Sequence, residues 1–263
     1  MIDLNGKNII VTGASGGIGS SIINTLNQAG ANILASGTRI EKLNELKNKH
    51  ANIKILKFDI SQSDKIEEFV ENATKELGGN LDCIVNNAGI THDATLKKMT
   101  ETQWQDVINA NLNSVFNMTK TALSNMLDNG YGRIISISSI NGRKGQFGQC
   151  NYSASKSALY GFTKSLALEV AKKGITVNTI SPGYIKTAMI ASIREDILKS
   201  ITSGKFPKER VATLKKIKDP KTRELIDEGI VLWFKGPNSY TGEDMVELHT
   251  HGSKAVVKKI QDI

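Results

Sequence analysis

Short apolar runs alternate with longer amphipathic stretches along most of the chain. The apolar runs indicate buried β-strands, and the stretches between them indicate helices. The predicted strands are Asn8–Val11, Asn32–Ser36, Ile53–Phe58, Cys83–Val85, Arg133–Ile137 and Thr176–Ile180. The predicted helices include Gly17–Ala29, Asp64–Leu77, Trp104–Asp128 and Ser153–Lys172. Because strands and helices alternate and the strands are apolar on both faces, we expect an α/β fold with a doubly wound parallel sheet.

After Gly183 this alternation stops. The chain continues with an amphipathic stretch, a Lys- and Glu-rich region, two short apolar runs and a final helical stretch: Thr187–Ile201, Lys205–Glu228, Ile230–Phe234, Met245–Leu248 and Ser253–Ile260. No further strand-helix pair of the earlier kind follows. We therefore predict a domain over residues 1–205 and a partial α+β appendage over residues 206–263.

A glycine-rich run, Thr12–Gly19, joins the first predicted strand to the first predicted helix. Glycines permit a tight turn and let backbone N–H groups approach a pyrophosphate, which a helix N-terminus favours. The alternative is an ordinary strand-to-helix turn. Because the run stands at the first βα turn, dinucleotide binding is favoured. The candidate cofactor residues in the run are Gly13, Ser15, Gly17, Ile18 and Gly19.

The residues after the second and third predicted strands bear on which dinucleotide binds. The second strand runs into Thr38 and Arg39, without the acidic residue that usually holds the ribose 2′-hydroxyl of NAD. Since an arginine there pairs with a 2′-phosphate, we expect NADP(H), although Arg39 could instead be a solvated helix-start residue. Asp59 and Ile60 are candidate adenine contacts, and a helix cap explains Asp59 nearly as well.

Four polar residues form a candidate catalytic group. Tyr152 and Lys156 are four residues apart and so share one helix face, where the cation would lower the phenol pKa from about 10. Tyr152 would then protonate a carbonyl oxygen as hydride reaches its carbon. Ser139 follows the fifth strand, where it either hydrogen-bonds that oxygen or begins a loop. Asn111 either holds a water that relays protons or is a surface amide.

These motifs, together with Asn86–Gly89 and Ser181–Gly183, occur in the order and spacing of the short-chain dehydrogenase/reductase family, which residues 1–205 resemble. The resemblance implies a Rossmann-like domain in which Lys156 binds the nicotinamide ribose and lowers the tyrosine pKa. It also implies that NADP(H) contacts Asn87, Gly89, Tyr152, Lys156, Pro182, Gly183, Ile185 and Thr187.

Within that family, three segments most resemble the 3-oxoacyl-acyl-carrier-protein reductases of fatty-acid biosynthesis: Tyr131–Ser139, Gly148–Tyr152 and Glu169–Asn178. The resemblance implies NADPH-dependent reduction of a 3-oxoacyl thioester carried on an acidic acyl carrier protein. It places Lys172 and Lys173 where such enzymes dock the carrier. Two alternatives stay open: reduction of another ketone, alcohol or sugar, and a non-catalytic fusion product.

The appendage resembles part of the N-terminal, folate-binding domain of the tRNA-modifying GTPases. The similar segments are Ile226–Gly229, Gly236–Asp244 and Glu247–Gly252. The chain lacks the phosphate loop of a GTPase, so GTP hydrolysis is not predicted. His249 and His251 alternate along a predicted strand without a third ligand, so we expect no metal.

In the reductases a last helix and strand occupy the place of this appendage. Their loss leaves Thr176–Ile180 at the edge of the sheet, and Ile230–Phe234 or Met245–Leu248 could cover it. The family tetramer uses the missing elements together with the long helices. We therefore expect a homo-oligomer that is at best a helix-mediated dimer.

Composition narrows the remaining classes. The chain has 263 residues, a net charge of +8 and two cysteines, Cys83 and Cys150, without metal-type spacing. Its lysines are scattered without aromatic-interleaved basic blocks, which argues against nucleic acid. The positive charge suits an acidic protein or a phosphorylated ligand, and a merely solvated basic surface explains it equally well. No apolar run approaches the ~18 residues that span a bilayer, and no leader precedes the first strand. We expect a soluble, cytoplasmic protein.

Overall fold

The computed structural model describes residues 2–50, 52–183, 201–202, 205–235 and 245–261. The chain divides into two compact units, residues 1–188 and 189–263. The boundary that the sequence predicts near residue 205 marks where the family resemblance changes. It stays a prediction, since the two compact units are defined by contacts alone. Within the described ranges, no helix is long and apolar enough to cross a membrane.

Six strands and seven α-helices alternate along the described part of the first unit. The strands are β1 Asn8–Val11, β2 Asn32–Gly37, β3 Lys54–Lys57, β4 Cys83–Asn86, β5 Gly132–Ile137 and β6 Ile175–Ile180. The helices are α1 Gly17–Gln28, α2 Ile40–Lys49, α3 Ile66–Glu76, α4 Glu101–Ile108, α5 Ser114–Asp128, α6 Asn141–Lys144 and α7 Cys150–Val170. All six predicted strands are present, with ends within one residue of the prediction.

The six strands form one parallel sheet in the order β3-β2-β1-β4-β5-β6. Strand order reverses between β1 and β4, and the carboxyl edge at such a switch point is where a doubly wound sheet binds its ligand. The predicted α/β class is therefore confirmed. Among the described residues, β6 pairs with β5 alone.

Two hydrophobic clusters contain the buried side chains of the sheet. Ile10, Ile84 and Ile134 belong to one cluster, which includes residues of α3, α5 and α7. Ile9, Val11 and residues of α1 and α2 belong to the other. Because helices cover both faces, the central strands need apolar residues at consecutive positions, which is why they read as unbroken apolar runs.

The predicted helix Trp104–Asp128 is three elements in the structure. Helix α4 starts at Glu101, where Thr100 and Gln103 form a reciprocal capping box. A π-helical turn, Asn109–Asn113, then leads into α5. A π turn is a single turn within an otherwise α-helical segment, so a period read over the whole segment did not reveal it.

The second unit contains a three-stranded antiparallel sheet of β7 Thr213–Lys218, β8 Leu225–Phe234 and β9 Met245–His249, followed by α8 Lys254–Gln261. Its buried core includes Ile201, Val231 and Trp233. Strand β8 pairs with β7 and β9, so the apolar runs predicted to cover β6 lie in a separate sheet instead. Strand β7 was not predicted, because its three lysines concealed the alternation.

Candidate active site

A glycine turn connects β1 to α1 at the carboxyl edge of the sheet. Gly13 has φ +64°, and a Cβ there would lie 2.7 Å from the Ala88 Cα. A Cβ on Gly19 would lie 2.2 Å from the Gly13 carbonyl oxygen. Larger residues would therefore push apart the turn, the helix and the loop after β4, so the glycines are needed for this close approach.

The turn ends at the N-terminus of α1, where Gly16 is the cap residue. The first helical hydrogen bond runs from Ser20 N to the Gly16 oxygen at 2.8 Å. A helix leaves its first N–H groups without internal acceptors, and here these belong to Gly17, Ile18 and Gly19. A pyrophosphate fits such a cradle of glycines and backbone donors. The partial positive charge at the helix N-terminus also favours the bound anion. The residues present therefore fit a dinucleotide.

Thr12 and Asn87 fasten this cradle to β4. The Thr12 hydroxyl oxygen accepts hydrogen bonds from the backbone N–H groups of Asn87 and Ala88, both at 3.1 Å. The Asn87 side-chain amide donates to the Thr12 and Gly13 carbonyls at 3.0 and 3.1 Å. Asn87, predicted to line the cofactor, thus also shapes the phosphate turn. Sequence reasoning missed the Thr12 clasp, since only the folded turn brings it beside β4.

Thr38 and Arg39 lie exposed after β2, next to the same turn. The Arg39 guanidinium donates to the Ser15 carbonyl at 2.7 Å, which brings its charge to the rim of the cradle. Asp59 accepts a hydrogen bond from Ser61 N at 2.9 Å, so the carboxylate caps a local turn and not the following helix, whose cap residue is Gln62. The adenine contact of Asp59 stays a prediction. Ile60 is half-buried beside it.

The catalytic candidates converge at the end of β5. Tyr152 and Lys156 lie on α7, with the Lys156 Nζ 5.8 Å from the centroid of the Tyr152 ring. The ammonium donates to the Ile137 carbonyl at 2.7 Å and is 4% exposed. The Ser139 side chain lies close enough to the Tyr152 hydroxyl to lower the pKa of that hydroxyl. The structure thus brings together the serine, phenol and ammonium predicted from the sequence.

Burial governs the proton affinities of this group. Burial raises the pKa of Tyr152 above its ordinary value, and the neighbouring Ser139 side chain acts in the opposite direction. Burial also lowers the pKa of Lys156 to about 8. The expected lowering of the tyrosine pKa is therefore wrong for the protein alone, because burial disfavours the phenolate more than the Ser139 side chain favours it. The phenol is protonated at neutral pH.

Asn111 is fully buried in the π turn. Its side-chain oxygen accepts from Ile90 N at 2.8 Å, while its amide donates to the Ile90 oxygen at 3.0 Å and to the Ser155 hydroxyl at 3.2 Å. The alternative of a surface amide is therefore wrong. The side chain ties the loop after Gly89 to α7, and a Cβ on Gly89 would lie 2.9 Å from the Asn111 Oδ1.

The loop after β6 meets the loop that carries Ser139. The Pro182 carbonyl accepts from Ile140 N at 2.9 Å. The hydroxyl of Tyr160, four residues after Lys156, lies 2.8 Å from the Ser181 Oγ and donates to the Ser139 carbonyl at 3.2 Å. Gly183 is exposed, and Ile185 and Thr187 lie outside the described residues. Tyr160 was missed, although its spacing from Lys156 already places it on the same helix face.

The histidines of the second unit pair with carboxylates. His251 Nδ1 lies 3.0 Å from Asp227 Oδ1, and His249 Nε2 lies 3.2 Å from Glu247 Oε2. Within the described ranges, no cluster of three His, Cys, Asp or Glu side chains could hold a metal ion. The cysteines are free: Cys83 is buried, which raises its pKa to about 12, and Cys150 is exposed.

Two family models match the chain. The short chain dehydrogenase model matches residues 7–198. The model of the GTP-binding protein TrmE N-terminus matches residues 166–263, so both models match residues 166–198. This second match supports the predicted resemblance of the appendage and extends it into the end of α7.

Curated relatives align over most of the chain. An acetoacetyl-CoA reductase of Allochromatium vinosum is 46% identical over 209 residues, covering 77% of this chain and 84% of the relative. An acetoacetyl-CoA reductase of Cupriavidus necator is 45% identical over 203 residues, covering 73% and 80%. The 3-oxoacyl-acyl-carrier-protein reductase FabG of Salmonella typhimurium is 41% identical over 210 residues, covering 78% and 86%.

Proposed function

Because the chain belongs to the short-chain dehydrogenase/reductase family, we propose that it reduces a short 3-oxoacyl thioester to the 3-hydroxyacyl form with NADPH. One observation carries this proposal: the Tyr152 phenol has the Ser139 side chain as its neighbour, and the Lys156 ammonium lies 5.8 Å from the centroid of its ring. The named activities of the relatives supply the substrate class, since acetoacetyl-CoA reductase and the acyl-carrier-protein reductase both act on 3-oxoacyl thioesters.

The residues supply acid and polar groups around a carbonyl oxygen. Bound NADPH provides the hydride. The Ser139 hydroxyl donates a hydrogen bond to the oxygen as negative charge develops there, which favours the transition state over the ground state. Tyr152 gives its proton to the same oxygen, and its raised pKa keeps that proton in place at neutral pH. The Lys156 ammonium stabilises the phenolate that remains.

The dinucleotide preference is assigned to Arg39. Its guanidinium is exposed beside the phosphate turn, and residues 36–39 contain no carboxylate that would repel a 2′-phosphate. An arginine forms two parallel hydrogen bonds to a phosphate, which an uncharged 2′-hydroxyl cannot match. NADPH is therefore the proposed reductant.

The carrier of the thioester has two candidates. Two relatives, at 46% and 45% identity, are acetoacetyl-CoA reductases, which favours coenzyme A. Lys172 and Lys173, exposed in a 3-10 turn after α7, favour an acidic carrier protein as the second candidate. Electrostatic docking of this kind depends on ionic strength, which separates the two candidates.

The test is NADPH oxidation by the purified full chain. We expect turnover with acetoacetyl-CoA, little turnover with acetoacetate or a simple cyclic ketone, and loss of about 10²–10⁴-fold in kcat for Tyr152→Phe. Tyr131→Phe, at the opposite end of β5, is the matched control and should retain the rate. Stabilisation by NADPH in a thermal melt without oxidation of any thioester would overturn the proposal and favour a non-catalytic dinucleotide-binding protein.

The same assay decides the carrier. With acetoacetyl-acyl carrier protein as substrate, a coenzyme A enzyme shows a KM that is insensitive to Lys172→Glu and to added salt. A carrier-protein enzyme instead shows a KM that rises with both. The rate with acetoacetyl-CoA serves as the internal reference, because it does not involve the carrier surface.

A further inference from the structure

A chain of three hydrogen bonds runs from the rim of the site to the Ser139 hydroxyl. The Gln149 side-chain amide donates to Asp93 Oδ2 at 2.8 Å. The Asn141 side-chain amide donates to Gln149 Oε1 at 3.0 Å. The backbone N–H of Asn141 then donates to Ser139 Oγ at 3.1 Å. An exposed carboxylate is thereby connected to a catalytic hydroxyl.

The carboxylate sets the direction of every donor in this chain. An ionised carboxylate only accepts hydrogen bonds, so Gln149 must turn its NH₂ group toward Asp93. Its carbonyl oxygen then faces Asn141, which must in turn present its own NH₂ group. If either amide were reversed, two acceptors or two donors would meet. The orientation of both amides therefore follows from the charge at Asp93.

Backbone contacts hold the segments that carry Asp93 and Gln149 together, independently of the side-chain hydrogen bonds. Ala94 N donates to the Gly148 carbonyl at 2.8 Å, and Ala94 pairs with Gln149 in a short parallel bridge. Asn141 is 8% exposed, and its Oδ1 has no hydrogen-bond partner among the described residues. The bond to Gln149 is thus the contact that orients this buried amide.

From this geometry we propose that Gln149 is a positioning residue for the reduction, acting on Ser139 through Asn141 under the control of the Asp93 carboxylate. One lone pair of Ser139 Oγ is occupied by the Asn141 N–H, which leaves the hydroxyl proton to be donated elsewhere. Near Tyr152, that proton is directed to the oxygen that becomes charged. The inference rests on the proposed function, because it concerns the same hydroxyl and the same substrate oxygen.

The test first breaks the hydrogen bond between Asp93 and Gln149 and then restores it with donor and acceptor exchanged. Gln149→Leu removes both bonds, and Gln149→Glu sets two carboxylates against each other. We expect each variant to lower kcat about tenfold with the KM for NADPH unchanged, because a displaced transition-state donor costs rate rather than cofactor affinity. In the double variant Asp93→Asn with Gln149→Glu, the new amide donates to the new carboxylate, which still accepts from Asn141. This variant should recover most of the lost kcat.

Gln105→Leu, an exposed glutamine on α4, is the matched control and should keep both constants. If Asp93 and Gln149 serve only by touching the substrate, the single variants raise its KM at constant kcat and the double variant brings no recovery. That result would overturn the proposal.

A readout without turnover separates this inference from the proposed function. In crystal structures of the full chain, we expect Gln149→Leu to show Ser139 Oγ moved out of hydrogen-bond distance of Asn141 N, and the double variant to restore it. An unchanged Ser139 position overturns the inference, even for a protein that oxidises NADPH readily. Failure of the wild-type protein to reduce any 3-oxoacyl thioester, with Ser139 displaced as expected, would instead contradict the proposed function alone.

Discussion

Lys156 keeps a positive charge inside the fold. Its side chain is 4% exposed, and one backbone carbonyl, that of Ile137, accepts from its ammonium at 2.7 Å. Removing a charge from water is costly, so burial lowers the pKa of Lys156 to about 8 from its ordinary 10.5. The residue proposed to support the chemistry therefore destabilises the protein at neutral pH, which is common at functional sites.

The substitution Lys156→Met measures this destabilisation. Below pH 8 the folded and unfolded states are both protonated and the wild type carries the full penalty. Between pH 8 and 10.5 the unfolded chain binds more protons than the folded one, so this lysine's contribution to stability rises with pH. We expect the free energy of unfolding of the variant minus that of the wild type to decrease between pH 7 and pH 10, as measured by urea denaturation.

Cys83 titrates in the opposite sense, and the comparison removes its effect. Burial raises the pKa of Cys83 to about 12 from 9.0, so above pH 9 the unfolded thiol ionises first and stability falls with pH. Because Cys83 is present in both proteins, the difference between them reports on Lys156. A difference that stays constant with pH would contradict the assigned pKa.

Arg39 offers a second test at a single side chain. We expect Arg39→Ala to raise the KM for NADPH by roughly 10–100-fold, since charge-assisted bonds to a phosphate contribute a few kcal/mol, and to leave the KM for NADH nearly unchanged. Steady-state kinetics with both cofactors measure this. Lys42→Ala, an exposed cation on α2 paired with Glu45, is the control for a general loss of positive charge. If Arg39→Ala changed the KM for NADPH and the KM for NADH equally, the assignment of Arg39 to the 2′-phosphate would be wrong.

At the scale of elements, two helical glycines should respond to alanine with opposite signs. In α1, a Cβ on Gly19 would lie 2.2 Å from the Gly13 oxygen and 2.8 Å from the Ala14 Cα. Backbone cannot yield as a flexible side chain can, so Gly19→Ala should cost about 1–3 kcal/mol and weaken dinucleotide binding. In α7, a Cβ on Gly161 meets nothing within 4 Å, and Gly161→Ala should stabilise by about 0.5–1 kcal/mol.

Thermal unfolding and NADPH titration of the two variants check this pair. A stable Gly19→Ala protein that binds NADPH normally would show that the turn can open without affecting the cradle. The Gly161→Ala protein controls for the general effect of alanine on helix propensity.

Sequence patterns predicted the elements best where burial dictates them. The buried strands β1 and β4 were read from apolar runs because helices on both faces exclude polar residues. Strand β7, with the sequence Thr-Leu-Lys-Lys-Ile-Lys, was missed because only Ile217 among its residues is fully buried. Edge strands of small sheets have too few buried positions to establish a period of two.

The site followed a similar rule. Tyr152, Lys156 and Ser139 were predicted because helix spacing and strand ends are local properties of the sequence. The hydrogen bonds of Thr12 to the loop after β4 join residues about 75 positions apart, and the sequence of neither segment indicates that the two meet in the fold. The direction of the Tyr152 pKa shift was wrong for the same reason, since desolvation depends on the whole surroundings of a group.

At the scale of the whole molecule, the two compact units each contain one tryptophan. Trp104 lies on α4 in the first unit, and Trp233 is 7% exposed in the core of the second. A ligand stabilises only the cooperative unit that binds it. We expect saturating NADPH to raise the urea midpoint reported by Trp104 in Trp233→Phe, and to leave the midpoint reported by Trp233 in Trp104→Phe unchanged.

Fluorescence of the two single-tryptophan variants measures this directly. At 100 times the dissociation constant, the stabilisation of the first unit should reach about 2.7 kcal/mol. Equal shifts of both signals would show that the chain unfolds as one cooperative unit, contrary to the division after residue 188.

The composition and edge position of strand β6 bear on how readily the protein aggregates. Its residues, Ile-Thr-Val-Asn-Thr-Ile, include no charge, no proline and no glycine, and within the described residues it pairs with β5 alone. Natural edges usually carry a lysine, a proline or a bulge that discourages foreign strands. Short uncharged β-branched segments are also the kind that stack into fibrils. We therefore expect the protein to aggregate through β6 on storage and at high concentration, before the molecules still in solution lose activity.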